Sequence, residues 1–180
     1  LLSDRKFGGA DVLATAYTIS QGARQMGNVD LILCGKQTTD GDSAQVGPEM
    51  AEYLGIPHIA NVVKIEDINE ASMVVEMDMP NTIEVAEIKF PCLLTVEKDI
   101  FQPRLPSYRK KLATKDREIK VLTLKELQDQ NEKRYGLSGS PTQVERIFPP
   151  AVNTDKEIWK GNGQELGDKL FTKLKDLKFV

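Results

Sequence analysis

The chain has 180 residues, 40% hydrophobic and 28% charged, an ordinary globular balance with length enough for one domain and a packed core. A net charge of -3 argues against a nucleic-acid binder, no apolar run approaches membrane-spanning length, and the first residues do not read as a secretory signal. The single histidine, His58, and two cysteines, Cys34 and Cys92 inside the apolar runs LILCG and FPCLL, leave almost no raw material for a zinc site or a histidine-based triad; buried reduced thiols of a cytoplasmic protein are the expectation.

Leu1-Leu2-Ser3-Asp4 reads as the tail of a strand already under way, so the expectation is a fragment preceded by further sheet elements. Residues 10–26 read as a helix, with Val12, Ala16, Ile19 and Ala23 on one face and Gly27-Asn28 closing it. Residues 29–34 form a short, nearly continuous apolar run, as a parallel strand buried on both faces requires. A polar loop over 35–43 leads into a helix expected from Ala44 to Leu54, which Gly55-Ile56-Pro57 ends.

Segments 60–66, 72–78, 82–89 and 92–97 are rich in Val, Ile and Thr and are separated by turn signals such as Glu70 and Pro80-Asn81. The alternation in MVVEMD and TIEVAEIKF predicts an antiparallel ribbon with one exposed face, and the apolar CLLTVEK predicts a return to the main sheet. Residues 98–118 carry prolines and a basic cluster, as in an exposed loop leading into a short helix. A strand (IKVLT) and a helical stretch (LKELQDQNEKR) follow, then a strand over TQVERIF. The last segment holds Trp159 and a terminal helix with a stripe of Leu166, Leu170, Leu174 and Leu177. The domain reading is 1–148 for the α/β part and 149–180 for a C-terminal linker and helix.

The loop after the first strand carries the chemistry. Gly35 and Gly41 let the backbone approach a ligand closely. Thr38, Thr39 and Ser43 supply hydroxyls and Lys36 a positive charge. Ser43 is placed to cap the next helix, whose free N–H groups and dipole favour a phosphate at the carboxyl end of a strand. Asp40 and Asp42 would repel a phosphate and fit better as acceptors from ribose hydroxyls, lysine or backbone N–H. The pattern is neither a Walker loop nor G-x-G-x-x-G, and an ordinary polar turn with an N-cap accounts for the same residues equally well. The D-x-D of Asp40 and Asp42 raises a magnesium reading, which lacks a third carboxylate nearby. Nucleotide hydrolysis or ligation would need a phosphate-activating motif, and none is found.

GKQTTDGDSAQVGPEMAEYLGIP, with its pattern G-x-Q-x-x-D-x-D-x-x-Q-x-G-P, together with PCLLTVEKDIFQPRLPSY and LLSDRKFGGADVLATA, resembles the beta (small) subunit of electron-transfer flavoproteins. That resemblance implies a doubly wound, Rossmann-like adenine-nucleotide-binding α/β sheet, here with an inserted antiparallel β ribbon and a C-terminal helical arm that reaches the alpha subunit. It implies nucleotide contacts at Gly35, Lys36, Gln37, Thr38, Thr39, Asp40, Gly41, Asp42, Ser43, Ala44, Gln45 and Val46. The site holds AMP in ordinary members and a second FAD in electron-bifurcating ones. TTDGDSAQVGPEMAE, PRLPSY and GSPTQVERIFPP most resemble the bifurcating members of anaerobic bacteria. There NADH reduces the flavin of this subunit, one electron passes to ferredoxin, and the other passes through the alpha-subunit FAD to an acyl-CoA dehydrogenase-type flavoenzyme. The alternative is a subunit holding AMP as a structural nucleotide. The resemblance also makes Leu105, Pro106, Ser107 and Tyr108 the loop that docks the dehydrogenase, although family members usually carry an aliphatic residue where Tyr108 stands. No catalytic residue is implied, because such a subunit positions and tunes a cofactor. His58 is expected as a surface or strand-start residue, and Trp159 against the partner subunit or the domain edge.

Overall fold

The computed structural model describes residues 1–152 and 156–180. Its strands are β1 (Leu31–Gly35), β2 (His58–Ile68), β3 (Ser72–Met79), β4 (Thr82–Lys89) and β5 (Cys92–Val96). They form one open mixed sheet in the order β1-β5-β2-β3-β4. β5 pairs in parallel with β1, from Leu31 opposite Cys92 to Gly35 opposite Val96, and in parallel with β2 on its other side. Its unbroken apolar run has this cause: a strand with a neighbour on each edge and packing on each face has no wet side. β3 runs antiparallel to β2 and β4, with Met79 facing Thr82 across the Pro80-Asn81 turn. Asn69 Oδ1 accepts the N–H groups of Ala71 and Ser72 and so turns β2 into β3. The ribbon expected from the alternating segments is present, and β2 joins it to the parallel strands. His58 opens β2 and is exposed.

Successive residues of β5 feed opposite layers. Cys92 and Leu94 join Val62, Met73, Val75 and Ile88, while Leu93 turns to Ala16, Met50 and Ala51. The second layer belongs to α1 (Val12–Arg24) and α2 (Val46–Leu54). Asp11 caps α1, its Oδ1 accepting the Ala14 N–H at 3.0 Å.

The expected apolar face of α1 is not the face it buries. Ala16 is buried, but Ile19 is 37% exposed, and Ala14, Tyr17, Thr18, Gln21 and Gly22 fill the contact instead. The polar residues are tolerated because Thr18 Oγ1 donates to the Ala14 carbonyl and Ser20 Oγ to that of Tyr17, each at 2.7 Å. Gly22 is required, since a Cβ there would stand 2.7 Å from Leu2 Cδ1.

Three segments differ from expectation. IKVLT makes no strand beyond one parallel bridge, Leu122 with Leu2, after which Asp4 takes the Leu124 N–H. LKELQDQNEKR is broken into 3-10 turns at Leu124–Glu126 and Glu132–Arg134, with a third at Gly136–Gly139. The Thr123–Glu126 capping box closes the first turn. Asp129 then accepts from the Asn131 N–H, the Tyr17 hydroxyl and Arg134, which commits the middle of the stretch to local side-chain bonds. Leu124, Leu127 and Tyr135 thereby reach one cluster with Tyr17. TQVERIF forms no strand, and residues 143–148 are exposed throughout. Thr142 is instead held by Asp11 Oδ2 through its N–H and its hydroxyl.

The chain divides into two compact units, Leu1–Gln143 and Val144–Val180. The second contains α4 (Gly163–Asp176), which opens with an Asn162–Glu165 capping box. Trp159 sits beside α4, and its Nε1 donates to Glu157, which also pairs with Lys173 at 2.7 Å. Of the leucine stripe, Leu166 and Leu174 are half-buried, and Leu170 and Leu177 are exposed. Among the described residues no helix is long and apolar enough to cross a membrane.

Two predictions concern α2. A Cβ at Gly47 would stand 2.3 Å from Thr95 Cγ2, so Gly47→Ala should destabilise the protein by about 1–3 kcal/mol. Adding Thr95→Ser, which removes that methyl and keeps the hydroxyl that accepts the Asn61 N–H, should restore most of the loss in urea unfolding. Glu49 Oε2 is buried without a partner, and burial first, then the Asp11 charge, raises its carboxyl above the ordinary glutamate range. A raised folded-state value means the folded protein holds the proton more tightly. Stability is therefore lost as pH rises through that range, and the neutral Gln is favoured at pH 7. Glu49→Gln should raise the melting temperature by about 2 °C at neutral pH, and the gain should shrink near pH 4.

Candidate functional site

The site begins where β1 ends. The Lys36 N–H donates to the Val96 carbonyl at 3.0 Å, which ties the start of the loop to the central strand. The loop then folds on itself. The Asp42 N–H bonds the Thr38 carbonyl at 3.2 Å, and Gln37 Nε2 donates to Asp42 Oδ1 at 2.6 Å. Hydrogen bonds from the Thr38 hydroxyl, then from the Gly41 N–H, hold the Asp40 carboxyl below its ordinary range. Both acids are thus engaged by donors of their own loop. Among the described residues no group of three His, Cys, Asp or Glu could hold a metal ion.

Ser43 does not cap α2. The helix starts at Val46 after Gln45, which makes no side-chain cap bond. The cause is backbone conformation: Asp42 and Ala44 lie at φ 50° and 55°, left-handed values that non-glycine residues adopt at a cost and that stop the helix from extending upstream. The first N–H groups of α2 are therefore left without a side-chain acceptor. Gly47, in the first turn, sits directly against Thr95.

These groups border a cavity of about 960 Å³. Gly35, Lys36, Gln37, Thr38, Ser43, Ala44, Gln45 and Val46 line one end of it. Thr39, Asp40, Gly41 and Asp42 form the exposed outer turn and do not line it. The remaining walls are mainly apolar: Ile19 and Ala23 of α1, Met26 just after it, Leu31 to Cys34 along β1, and Leu1, Leu2 and Leu122, with Thr15, Gln25 and Lys120 as polar groups among them. The cavity runs along β1 because that strand stands at the end of the sheet. Cys34 is half-buried there, and burial raises its thiol above the ordinary range, which keeps it neutral.

Two residues absent from the sequence expectation belong to this geometry. Gly47 seats α2, and Glu97 pairs with Lys36, Nζ to Oε1, at 2.6 Å. The signal for Glu97 was present: each of the two parallel runs, LILCG and CLLTV, is followed closely by a charged residue of opposite sign.

Leu105, Pro106, Ser107 and Tyr108 lie outside the cavity and are all exposed, Leu105 at 93% and Tyr108 at 76%. Ser107 Oγ accepts the Lys110 N–H and starts the short helix α3 (Tyr108–Ala113). Around it Arg104, Arg109, Lys110, Lys111, Lys115, Arg117 and Lys120 are exposed, and none forms an ion pair among the described residues.

The chain was compared with known proteins. Residues 1–127 match the model of the electron transfer flavoprotein domain. The electron transfer flavoprotein beta subunit of Clostridium acetobutylicum is 37% identical over 180 residues, covering all of this chain and 68% of that protein. That of Megasphaera elsdenii is 39% identical over 191 residues, covering all of this chain and 69% of the relative. The caffeyl-CoA reductase-Etf complex subunit CarD of Acetobacterium woodii is 38% identical over 183 residues, again covering all of this chain and 68% of the relative. The chain thus spans about two thirds of the length of these relatives. With a family match over most of its length and beta-subunit relatives along all of it, the chain belongs to the electron transfer flavoprotein family and is of the beta-subunit kind.

Proposed function

We propose that this chain holds FAD at the loop after β1 and works as the beta subunit of an electron-bifurcating electron-transfer flavoprotein. The observation that carries the reading is the cavity itself. The donors of the loop after β1 line part of it, while mainly apolar walls continue along α1 and β1, room that suits a ligand extending beyond its adenylate. The similarity to a subunit of a caffeyl-CoA reductase-Etf complex supports it.

The residues present fit the adenylate half. The uncapped start of α2 offers N–H groups and the positive end of a helix dipole to a phosphate. The hydroxyls of Thr38 and Ser43 and the Lys36 ammonium stand on the same rim. Asp40 and Asp42, turned outward, keep their charge away from that anion. When bound, FAD supplies the two-electron exchange with NADH and the single-electron exits to ferredoxin and, through the alpha-subunit FAD, to an acyl-CoA dehydrogenase-type enzyme. The chain's own residues bind and orient the adenylate and shield its far side from water; no side chain here is assigned proton chemistry. A second reading, AMP as a structural nucleotide, is favoured by the mainly apolar walls beyond the loop, which offer a longer ligand few polar partners.

The count of flavins per heterodimer separates the two. The intact complex with its alpha subunit should contain two flavins and reduce ferredoxin with NADH. One flavin plus one AMP would establish the second reading.

The exposed segment from Leu105 to Tyr108 is proposed as the docking loop for the dehydrogenase. Its seven cations, which form no ion pair among the described residues, add a long-range attraction for an acidic partner surface, which salt screens. Tyr108→Ala should raise the Michaelis constant for the dehydrogenase about tenfold with the nucleotide content unchanged, and the rate of the wild type should fall steeply with ionic strength. Loss of nucleotide in the variant would contradict the docking role.

A further inference from the structure

We infer that Glu97 is a positioning residue that competes with the nucleotide's phosphate for Lys36, and so weakens adenylate binding at this site. The inference rests on the adenylate reading of the loop and adds a residue to it.

The two side chains leave backbone that cannot move much. Gly35 and Val96 are register partners at the carboxyl ends of β1 and β5. The next residues follow side by side, the Lys36 N–H bonded to the Val96 carbonyl and the Glu97 N–H to the Val62 carbonyl at 2.9 Å. Their side chains meet at 2.6 Å and are only 33% and 24% exposed. Lys36 lines the cavity, whereas Glu97 does not. The carboxylate therefore holds the ammonium against the wall formed by the strand ends.

Lys36 is the only cationic side chain between residues 35 and 46, so a phosphate at the start of α2 has no other ammonium within that loop. A lysine is a point charge on a flexible four-carbon stem and can swing between two acceptors. When it turns to the phosphate, Glu97 keeps its charge in a partly buried position without its partner, and that loss is subtracted from the gain. Glu97 thus favours release of the nucleotide.

The test is calorimetric titration of AMP, and separately adenosine, into the nucleotide-depleted heterodimer. Glu97→Gln should tighten AMP about fivefold, which corresponds to about 1 kcal/mol, and leave adenosine, which has no phosphate, unchanged. In a Lys36→Ala background the same change should gain nothing, because the effect passes through the lysine. AMP affinity that is unchanged or weaker in Glu97→Gln would overturn the inference, as would an equal gain without Lys36. A wild type that binds neither AMP nor adenosine would overturn the adenylate reading and this inference with it.

Discussion

Helix α2 lies on strand β5 at a point where only glycine fits, because the methyl of the buried Thr95 occupies the space a Cβ at Gly47 would need. Much of the site's geometry follows from that contact. It brings the first turn of α2 down to the strand it rests on, beside the ends of β1 and β5. The connection from β1 reaches that turn through Asp42 and Ala44 in left-handed backbone. The start of the helix carries no side-chain cap, and an uncapped helix start beside a cavity is where an anion is best received. The strain at Asp42 and Ala44 is held by the loop's own bonds, from Gln37 to Asp42 and from Asp42 to Thr38.

The electrostatics of the loop are settled by direction more than by count. The Lys36 ammonium pairs with Glu97 and feels the charge of Asp78, and its own loop adds Asp40 and Asp42, a balance that by charge alone disfavours a phosphate. Yet Asp40 and Asp42 sit on the outer turn and are engaged by loop donors, and in water their influence falls off within a Debye length. The cavity face of the loop carries hydroxyls, an amide, backbone and the lysine. What remains against binding is the one carboxylate that touches the lysine directly.

The strands were legible in the sequence because each followed a simple pattern: unbroken apolar runs for β1 and β5, and alternation for β3 and β4. Of the two apolar runs only β5 is dry on both faces, since β1, expected to be buried on both, ends the sheet and leaves Leu33 57% exposed. The loop was legible through its glycines and hydroxyls, and its family resemblance through the long pattern around them. What was not legible depended on contacts distant in sequence. Ser43 is a good cap by type, but Ala44 beyond it is left-handed and the helix starts only at Val46, with Gly47 seated on Thr95 some fifty positions away. Residues 124–134 have helical composition, but Asp129 is claimed by Tyr17 from α1 and by Arg134, and Leu124 and Leu127 by the cluster around Tyr17. The face of α1 was misread because small and polar residues pack closely there, while Ile19 lines the cavity.

The same rules separate the roles of the two outward-facing regions of Leu1–Gln143. The loop at 35–46 keeps its cation in a carboxylate's grip and its donors on a recessed rim, as suits a small anionic ligand held for its shape. Residues 104–120 do the opposite: Leu105 and Tyr108 stand out in water, and the cations around them form no ion pair among the described residues. In a chain of net charge -3, leaving that many cations unpaired in one segment raises the cost of desolvating them, so a partner must bring its own carboxylates to make the surface worth burying. On the proposed reading, docking at 104–120 and nucleotide binding at 35–46 draw on largely different charges, Lys120 alone belonging to the segment and also lining the cavity, and a change of salt that weakens the first leaves the partly buried Lys36–Glu97 pair of the second largely intact.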